Sequence, residues 1–323
     1  MCGSEPTRSR DGGLDGANLA VLLGLSTDAG VGWAAGHHGE LLQGFFANEN
    51  HGSDHALVTL PLRSRGTWAT FRTSSDSAIR VFPEDRIKAR RAAELAVELC
   101  ARERLAATGG QLDIISNVPV GRGMGSSTSD VIATIKAVSD CHRVRLPPER
   151  IAQLAVLAEQ ACDSIMIEDR VVLFAHRRGT VLEILGCQLP PLVVIGCVSG
   201  PADGVDTLEL PLAQYTQHEI DMFCELRAAL RRATIAQNVE LLGHVATASA
   251  RINQRFLPKP ELDFLIALSD QLGAAGVQIA HSGTVVGLIF DAKLPDLNSR
   301  IDRCIDALDR EGIPQGESFV INA

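Results

Sequence analysis

The sequence lacks the spacings that build disulfide frames and structural metal sites. No two of its eight cysteines form a CxxC pair, HExxH is absent, and several cysteines fall inside apolar periodic runs. These features read as the reduced, mostly buried thiols of a cytoplasmic protein. Positive charge is not in excess: 30 Lys and Arg against 39 Asp and Glu leave a net charge of −9. That balance argues against a protein that grips nucleic acid through its phosphates, but it is compatible with a local basic pocket for a small anion. Long apolar runs are missing as well. One apolar stretch, Ala17 to Leu25, is too short to span a bilayer, and no membrane partner is expected. Acidic Asp11 and Asp15, with no small-x-small cleavage site following, set the stretch apart from a signal peptide. It reads instead as a strand or packing segment. No internal repeat or low-complexity tract appears.

The rest of the composition is ordinary for a globular chain, 46% hydrophobic and 21% charged over 323 residues. That length suits one large domain or two smaller ones. Residues 1–16 are polar and glycine-rich and are expected to be disordered. Strands are expected at 56–62, 67–73 and 111–117 from their β-branched and aromatic content. Ala92, Leu95, Ala96, Leu99 and Cys100 follow helical spacing, which predicts an amphipathic helix over 86–105. Further helices are expected at 125–139 and after Pro147-Pro148, where a proline favours the first turn. Strands at 170–175, 179–185 and 192–198 precede a half with helices at 218–235, 237–252 and 260–273. Strands near 276–281 and 284–290, a helix at 295–311 and a terminal strand complete the chain. Strands and helices that do not strictly alternate predict an α+β fold. A boundary is expected near 200–212, where Gly200, Pro201 and Pro211 make a turn-rich link.

The segment PVGRGMGSSTSD, Pro119 to Asp130, carries the chemistry. It lacks the lysine of a P-loop, and its third glycine comes one residue too early for a dinucleotide fingerprint. A Rossmann-type dehydrogenase is thereby disfavoured. What remains is strand, glycine turn and a helix opening on Ser126, Ser127 and Thr128. Such a turn lets the backbone approach an anion, and amides at a helix start point at it; it is equally a common way of beginning any helix. Asp130 reads as a first-turn acid complementing the helix dipole.

With neighbouring stretches added, the sequence resembles the GHMP kinases. Pro119, Gly123, Met124, Gly125, Ser126 and Ser127 match in order the nucleotide loop P-x-x-x-G-[LM]-[GA]-S-S. Gly39 to Gly44 (GELLQG) and Ala280 to Leu288 (AHSGTVVGL) resemble motifs of the cobalamin-pathway L-threonine kinase branch, as do VTLP (58–61), VDT (205–207) and NQ (253–254). The resemblance covers residues 31–290. It implies a two-domain fold with the active site in the cleft between the domains: an extension at 1–30, an N-terminal domain at 31–200 and a C-terminal domain at 201–323. It also implies ATP and Mg²⁺ as cofactors and a small hydroxy amino acid as substrate. Pro119 and Gly121, Arg122, Gly123, Met124, Gly125, Ser126, Ser127 and Thr128 are the implied ATP-binding residues. Glu40, Gln43, His281, Ser282, Gly283 and Thr284 are the implied substrate-binding residues, in motifs that a strand acid and a tight hairpin turn would also explain.

Spacing places Ile151, Ala155, Glu159 and Asp163 on one helical line, so two carboxylates meet the end of an apolar stripe. A surface acid and a turn residue fit that spacing too. The resemblance assigns Asp163 as the catalytic base. Gln160 stands where the branch has its glutamate, with Glu159 one residue earlier, so Glu159 joins Ser127 as the expected Mg²⁺ ligand. His37 and His38, on alternating faces of one strand, are read as polar edge residues, with a changed substrate as the alternative. Arg251 and Arg255 are solvated arginines or anion clamps, and Lys136 lies too deep in its helix to reach the loop. The acceptor stays open between L-threonine, homoserine and another amino alcohol, as does a non-catalytic nucleotide sensor. The number of copies is open too, a homodimer included.

Overall fold

Two long strands run through the middle of the protein, β1 (Ala29–Ala47) and β2 (Ser53–Ser74), paired antiparallel along their whole length. The computed structural model describes residues 29–48, 52–104, 109–200, 213–281 and 283–322. Beyond β2 lie β3 (Ile79–Phe82) and β4 (Gly109–Ser116), then β5 (Val171–Ala175), β6 (Thr180–Gly186) and β7 (Leu192–Val198). Near the end of the chain come β8 (Gly276–Ile279), β9 (Val285–Asp291) and β10 (Gln315–Ile321). Together they form one ten-stranded sheet in the order β10-β7-β9-β8-β1-β2-β4-β3, with β5 and β6 attached beside β2.

Helices α1 (Ile87–Arg104), α2 (Ser126–Cys141) and α3 (Pro148–Glu159) cover the β1-β2-β4 part, in a core that includes Phe71, Leu112, Ile132, Ile135 and Phe174. The glycines of β1 explain how close α2 comes. A Cβ on Gly32 would lie 2.1 Å from the Ala133 carbonyl oxygen, so only glycine fits there. Helices α4 (Gln217–Ala236) and α5 (Val239–Asn253) pack into a central core with Leu42, Phe46, Phe223 and Leu242. Thr216 and Glu219 start α4 with a reciprocal capping box. Helices α6 (Leu262–Leu272) and α7 (Leu297–Arg310) cover β7, β8 and β9. No helix among the described residues is long and apolar enough to cross a membrane.

The mixed, non-alternating order bears out the α+β expectation. Three expected details change. The chain is strand from Ala29 onward, the two strands expected at 56–62 and 67–73 are one continuous β2, and β3 was not foreseen. The expected link at 201–212, the VDT phrase and the apolar stretch 17–25 lie outside the described residues.

The two parts of the sheet meet at β1, and Glu40 is at the joint: it faces Ile279 in the β1–β8 pairing. Register shifts fall on both sides of it, between His37 and Glu40 and between Glu40 and Leu42. An irregular strand at this point turns adjacent side chains toward the seam between the sheet's two parts.

Candidate active site

Three elements converge at that seam. The first is the glycine loop, where Gly121, Gly123 and Gly125 all take left-handed φ, at 76°, 77° and 71°. Gly125 itself is the N-cap of α2, without a side-chain cap bond. The hydroxyls expected to open the helix are therefore used elsewhere. Ser127 Oγ donates to Glu159 Oε2 at 2.6 Å, and the amides of the helix start are left for an anion. Asp130 is not a first-turn acid: it is buried and accepts from Thr67 Oγ1 at 2.7 Å, with Arg86 Nε 3.5 Å away.

The second element is the end of α3. Gln160 takes a left-handed φ of 69° and stops the helix, so Glu159 is its last residue and Asp163 follows in an irregular segment. The side chains of both still face one cavity. Asp163 Oδ2 lies 2.9 Å from His37 Nε2.

The third is β1 with the turn between β8 and β9. Glu40 Oε2 accepts a hydrogen bond from the His281 backbone N–H. His281 Nδ1 pairs with Gln43 Oε1 at 2.8 Å, and Asn253 Nδ2 donates to the Gln43 carbonyl at 3.0 Å. The turn is also stapled to the glycine loop. Arg122 O accepts from the amides of Thr284 and Val285 at 3.1 and 3.2 Å, and a Cβ on Gly283 would lie 2.2 Å from Gly123 N. Buried Lys259 donates from Nζ to Gly283 O at 2.7 Å. Gln254 braces Lys259 through both of its backbone polar groups, which gives the Asn253-Gln254 phrase a physical task on each side.

One cavity collects Gly121, Gly123, Met124, Gly125, Ser126, Ser127 and Thr128 with Glu159 and Asp163. His37, Glu40, His176 and His281 line the same cavity, as does Lys88 of α1. Of the expected site residues, Pro119, Arg122, Gln43, Gly283 and Thr284 do not line it; all but Pro119 bond or pack onto residues that do or onto their turn. Ser282 lies outside the described residues. Lys136 bonds Trp33 O and Glu168, away from the loop. Arg255 bonds Gln214 O and the Glu219 carboxylate and stacks on Phe256, and it does not line the cavity.

The histidines are the main correction. His37 and His38 are buried, not edge residues. Alternation does separate them: His37 faces the cavity, whereas His38 packs on Phe319 and pairs with Gln278. His37, His176 and Lys259 were missed as parts of the site. Only the adjacency of His37 to the GELLQG stretch hinted at any of them.

Burial sets the charge states. It opposes ionisation of Asp163, yet His37, by charge and by hydrogen bond, holds that carboxyl down to about 2. Burial likewise works against a charged His37, and Asp163, with help from Glu40, lifts it to about 9. Burial pushes Glu40 up to about 8 and Glu159 up to about 7. It pushes His176 and His281 down to about 3 and about 4, which keeps both neutral. Glu159 Oε1 is buried without a hydrogen-bond partner, while Ser127 holds the other oxygen. A desolvated carboxylate with a free oxygen beside a hydroxyl suits a hard divalent cation such as Mg²⁺.

Fold and cavity together define an α+β protein in which a glycine-rich helix N-terminus faces a carboxylate cluster across a seam. Residues 88–166 match the GHMP kinases N terminal domain, and residues 226–312 match the GHMP kinases C terminal domain. The chain belongs to the GHMP kinase family. It is similar to the L-threonine kinase of Citrobacter freundii, 35% identical over 198 residues, which are 58% of this chain and 65% of that protein. The L-threonine kinase of Salmonella typhimurium is 32% identical over 58% of this chain and 62% of its own length. The chain thus matches just under two thirds of the length of these curated relatives. A homoserine kinase structure from Cytophaga hutchinsonii superposes with a TM-score of 0.65 at 14% identity, covering 92% of this chain and 95% of that one. The Lactococcus lactis galactokinase complexed with galactose gives 0.63 at 15% identity, covering 95% and 96%. These likenesses show the two-domain fold.

Proposed function

We propose that the protein is an ATP- and Mg²⁺-dependent kinase that phosphorylates the side-chain hydroxyl of L-threonine or a related hydroxy amino acid. The observation that carries this reading is the shared cavity, which Asp163 and the α2 N-terminus line together. In this reading the loop from Pro119 to Thr128 cradles the triphosphate, its free amides and the helix dipole meeting the phosphate charge. Ser127 and Glu159 would hold Mg²⁺, which would supply positive charge against the phosphate oxygens. Glu40 pairs with the substrate ammonium, whose charge favours the ionised carboxylate that burial opposes. Gln43, His281 and the turn through Ser282, Gly283 and Thr284 close the acceptor side. Asp163 accepts a hydrogen bond from the acceptor hydroxyl and aligns it. The hydroxyl oxygen forms a bond to the γ-phosphorus, the bond to the ADP oxygen breaks, and the proton passes to Asp163. Such a transfer asks for positioning and charge stabilisation more than covalent chemistry. Cys162, Cys197, Cys224 and Cys304 are free thiols, which supports a reducing, cytoplasmic setting.

The test is Asp163→Asn. We expect kcat to fall by roughly 10²–10⁴-fold, the worth of a general base, with ATP affinity little changed. Normal turnover by this variant would remove Asp163 from the role. Homoserine as acceptor is the second reading, favoured by 24% identity over 196 residues to a Lactococcus lactis homoserine kinase.

A further inference from the structure

His37 has no part in the mechanism above and lies outside the GELLQG stretch, yet it touches three parts of the site at once. Its backbone N–H donates to Met124 O at 3.0 Å, fixing it to the glycine loop. Its ring packs on the cap of α2 so closely that a Cβ on Gly125 would fall 2.3 Å from Cδ2. Its Nε2 meets Asp163 Oδ2 at 2.9 Å. Asp163, for its part, follows the left-handed stop at Gln160 in an irregular segment, where no helical ladder orients its side chain.

We propose that His37 is the positioning residue of the phosphoryl transfer: its imidazole holds Oδ2 of Asp163, leaves Oδ1 for the acceptor hydroxyl, and locks that orientation to the glycine loop. The role rests on the reading of Asp163 as the proton acceptor. It explains why Gly125 must be glycine, since the ring that orients the carboxylate occupies the space a side chain would need. It also couples the two substrates, because any shift of the helix cap is passed through His37 to the carboxylate.

The groups around the ring set its charge. Asp163 faces Nε2, and Glu40 Oε1 lies 3.7 Å from Nδ1 on the same strand. Neighbouring His38 points to the other side, against Phe319 and Gln278. His176 and His281, beside Asp163, are neutral through burial, and Lys259 acts on Glu40. His37 is thus the one charged imidazole of the three that line the cavity. A neutral ring would still bond Oδ2, but it would no longer hold the carboxylate by charge, and a displacement of about 1 Å costs about 10²-fold in rate.

The experiment combines NMR titration of the His37 ring with kinetics of the full chain. In wild type the ring should titrate near 9, and in Asp163→Asn markedly lower, where burial is opposed only by Glu40 and a backbone hydrogen bond. His37→Gln, which keeps a neutral donor, should lower kcat roughly 10- to 100-fold with little change in KM for ATP, and should lose the alkaline limb of the pH–rate profile. His37→Ala should regain turnover on addition of imidazole. A ring titration unmoved by Asp163→Asn, or a His37→Gln enzyme as fast as active wild type, overturns the inference and leaves the kinase reading standing. Wild type inert with every acceptor, yet with the titration shift lost in Asp163→Asn, overturns the kinase reading and the positioning role with it, while the ion pair remains.

Discussion

Replacing Gly125 with alanine should damage both the stability of the protein and the link between its nucleotide loop and Asp163. Two separate costs arise. Gly125 has a φ of 71°, and a side chain held in left-handed backbone costs about 1–2 kcal/mol. The added methyl would also lie 2.3 Å from Cδ2 and 2.7 Å from Nε2 of His37, a ring pinned by Asp163, and overpacking of this kind costs about 1–3 kcal/mol. The total is roughly 2–5 kcal/mol. Gly312→Ala supplies the control: its φ is 68°, and nothing lies within 4 Å of an added Cβ. That variant should lose only the conformational share, about 1–2 kcal/mol. Urea titrations of the two variants, with an unchanged m-value, read the difference directly. Equal losses would mean that the His37 ring yields freely to the methyl, and the packing of loop against imidazole would be refuted.

Other perturbations follow from the same contacts. Lys259→Met leaves the Gly283 carbonyl without its buried donor and should cost about 1–3 kcal/mol; amide exchange should rise at 280–285 ahead of the rest of the chain, and uniform exchange there would contradict the staple. Glu159→Gln should abolish the extra thermal stabilisation that Mg²⁺ adds to a non-hydrolysable ATP analogue, whereas a wild-type response would remove Glu159 from the metal position. The ion pair also predicts a pH signature. Asp163, held at about 2 against an ordinary 3.8, contributes stability present above 3.8 and lost as pH falls toward 2. His37, raised from 6.5 to about 9, contributes stability present below 6.5 and lost as pH rises through 9. Urea stability should therefore fall further between about pH 7 and about pH 10 in wild type than in His37→Gln; parallel curves would rule the pair out.

Much of the fold could be read along the chain because its elements announce themselves locally. The all-apolar run of β7 was placed residue for residue at 192–198, and α1 and α4 within one residue at either end. β1 could not be read this way. Gly30, Gly32, Gly36, Gly39 and Gly44 weaken any strand signal, and the reason for two of them, the passage of α2 at contact distance, exists only in the folded molecule. β2 was divided because Arg63 to Gly66 looks like a turn, although the ladder continues past it with a register shift. At the site, spacing put Glu159 and Asp163 near one another, and the motif resemblance singled out Asp163. Neither reached His37, His176 or Lys259. They come from β1, the end of β5 and the loop before α6, and no periodicity links residues so far apart. Ser127 and Glu159, which the resemblance names together, lie 32 residues apart in the chain and are joined by a hydrogen bond in the fold.

The central claim is that this cavity transfers phosphate from ATP to a hydroxy amino acid, and the most direct test is ADP release from the purified protein with Mg-ATP. The acceptors are L-threonine, its stereoisomers, L-serine, L-homoserine and mevalonate. The account predicts acceptor-dependent ADP release with one hydroxy amino acid, L-threonine foremost, and its loss in Asp163→Asn. ATP bound tightly with no acceptor-dependent ADP release across the panel would contradict it and point to a nucleotide sensor on the same fold.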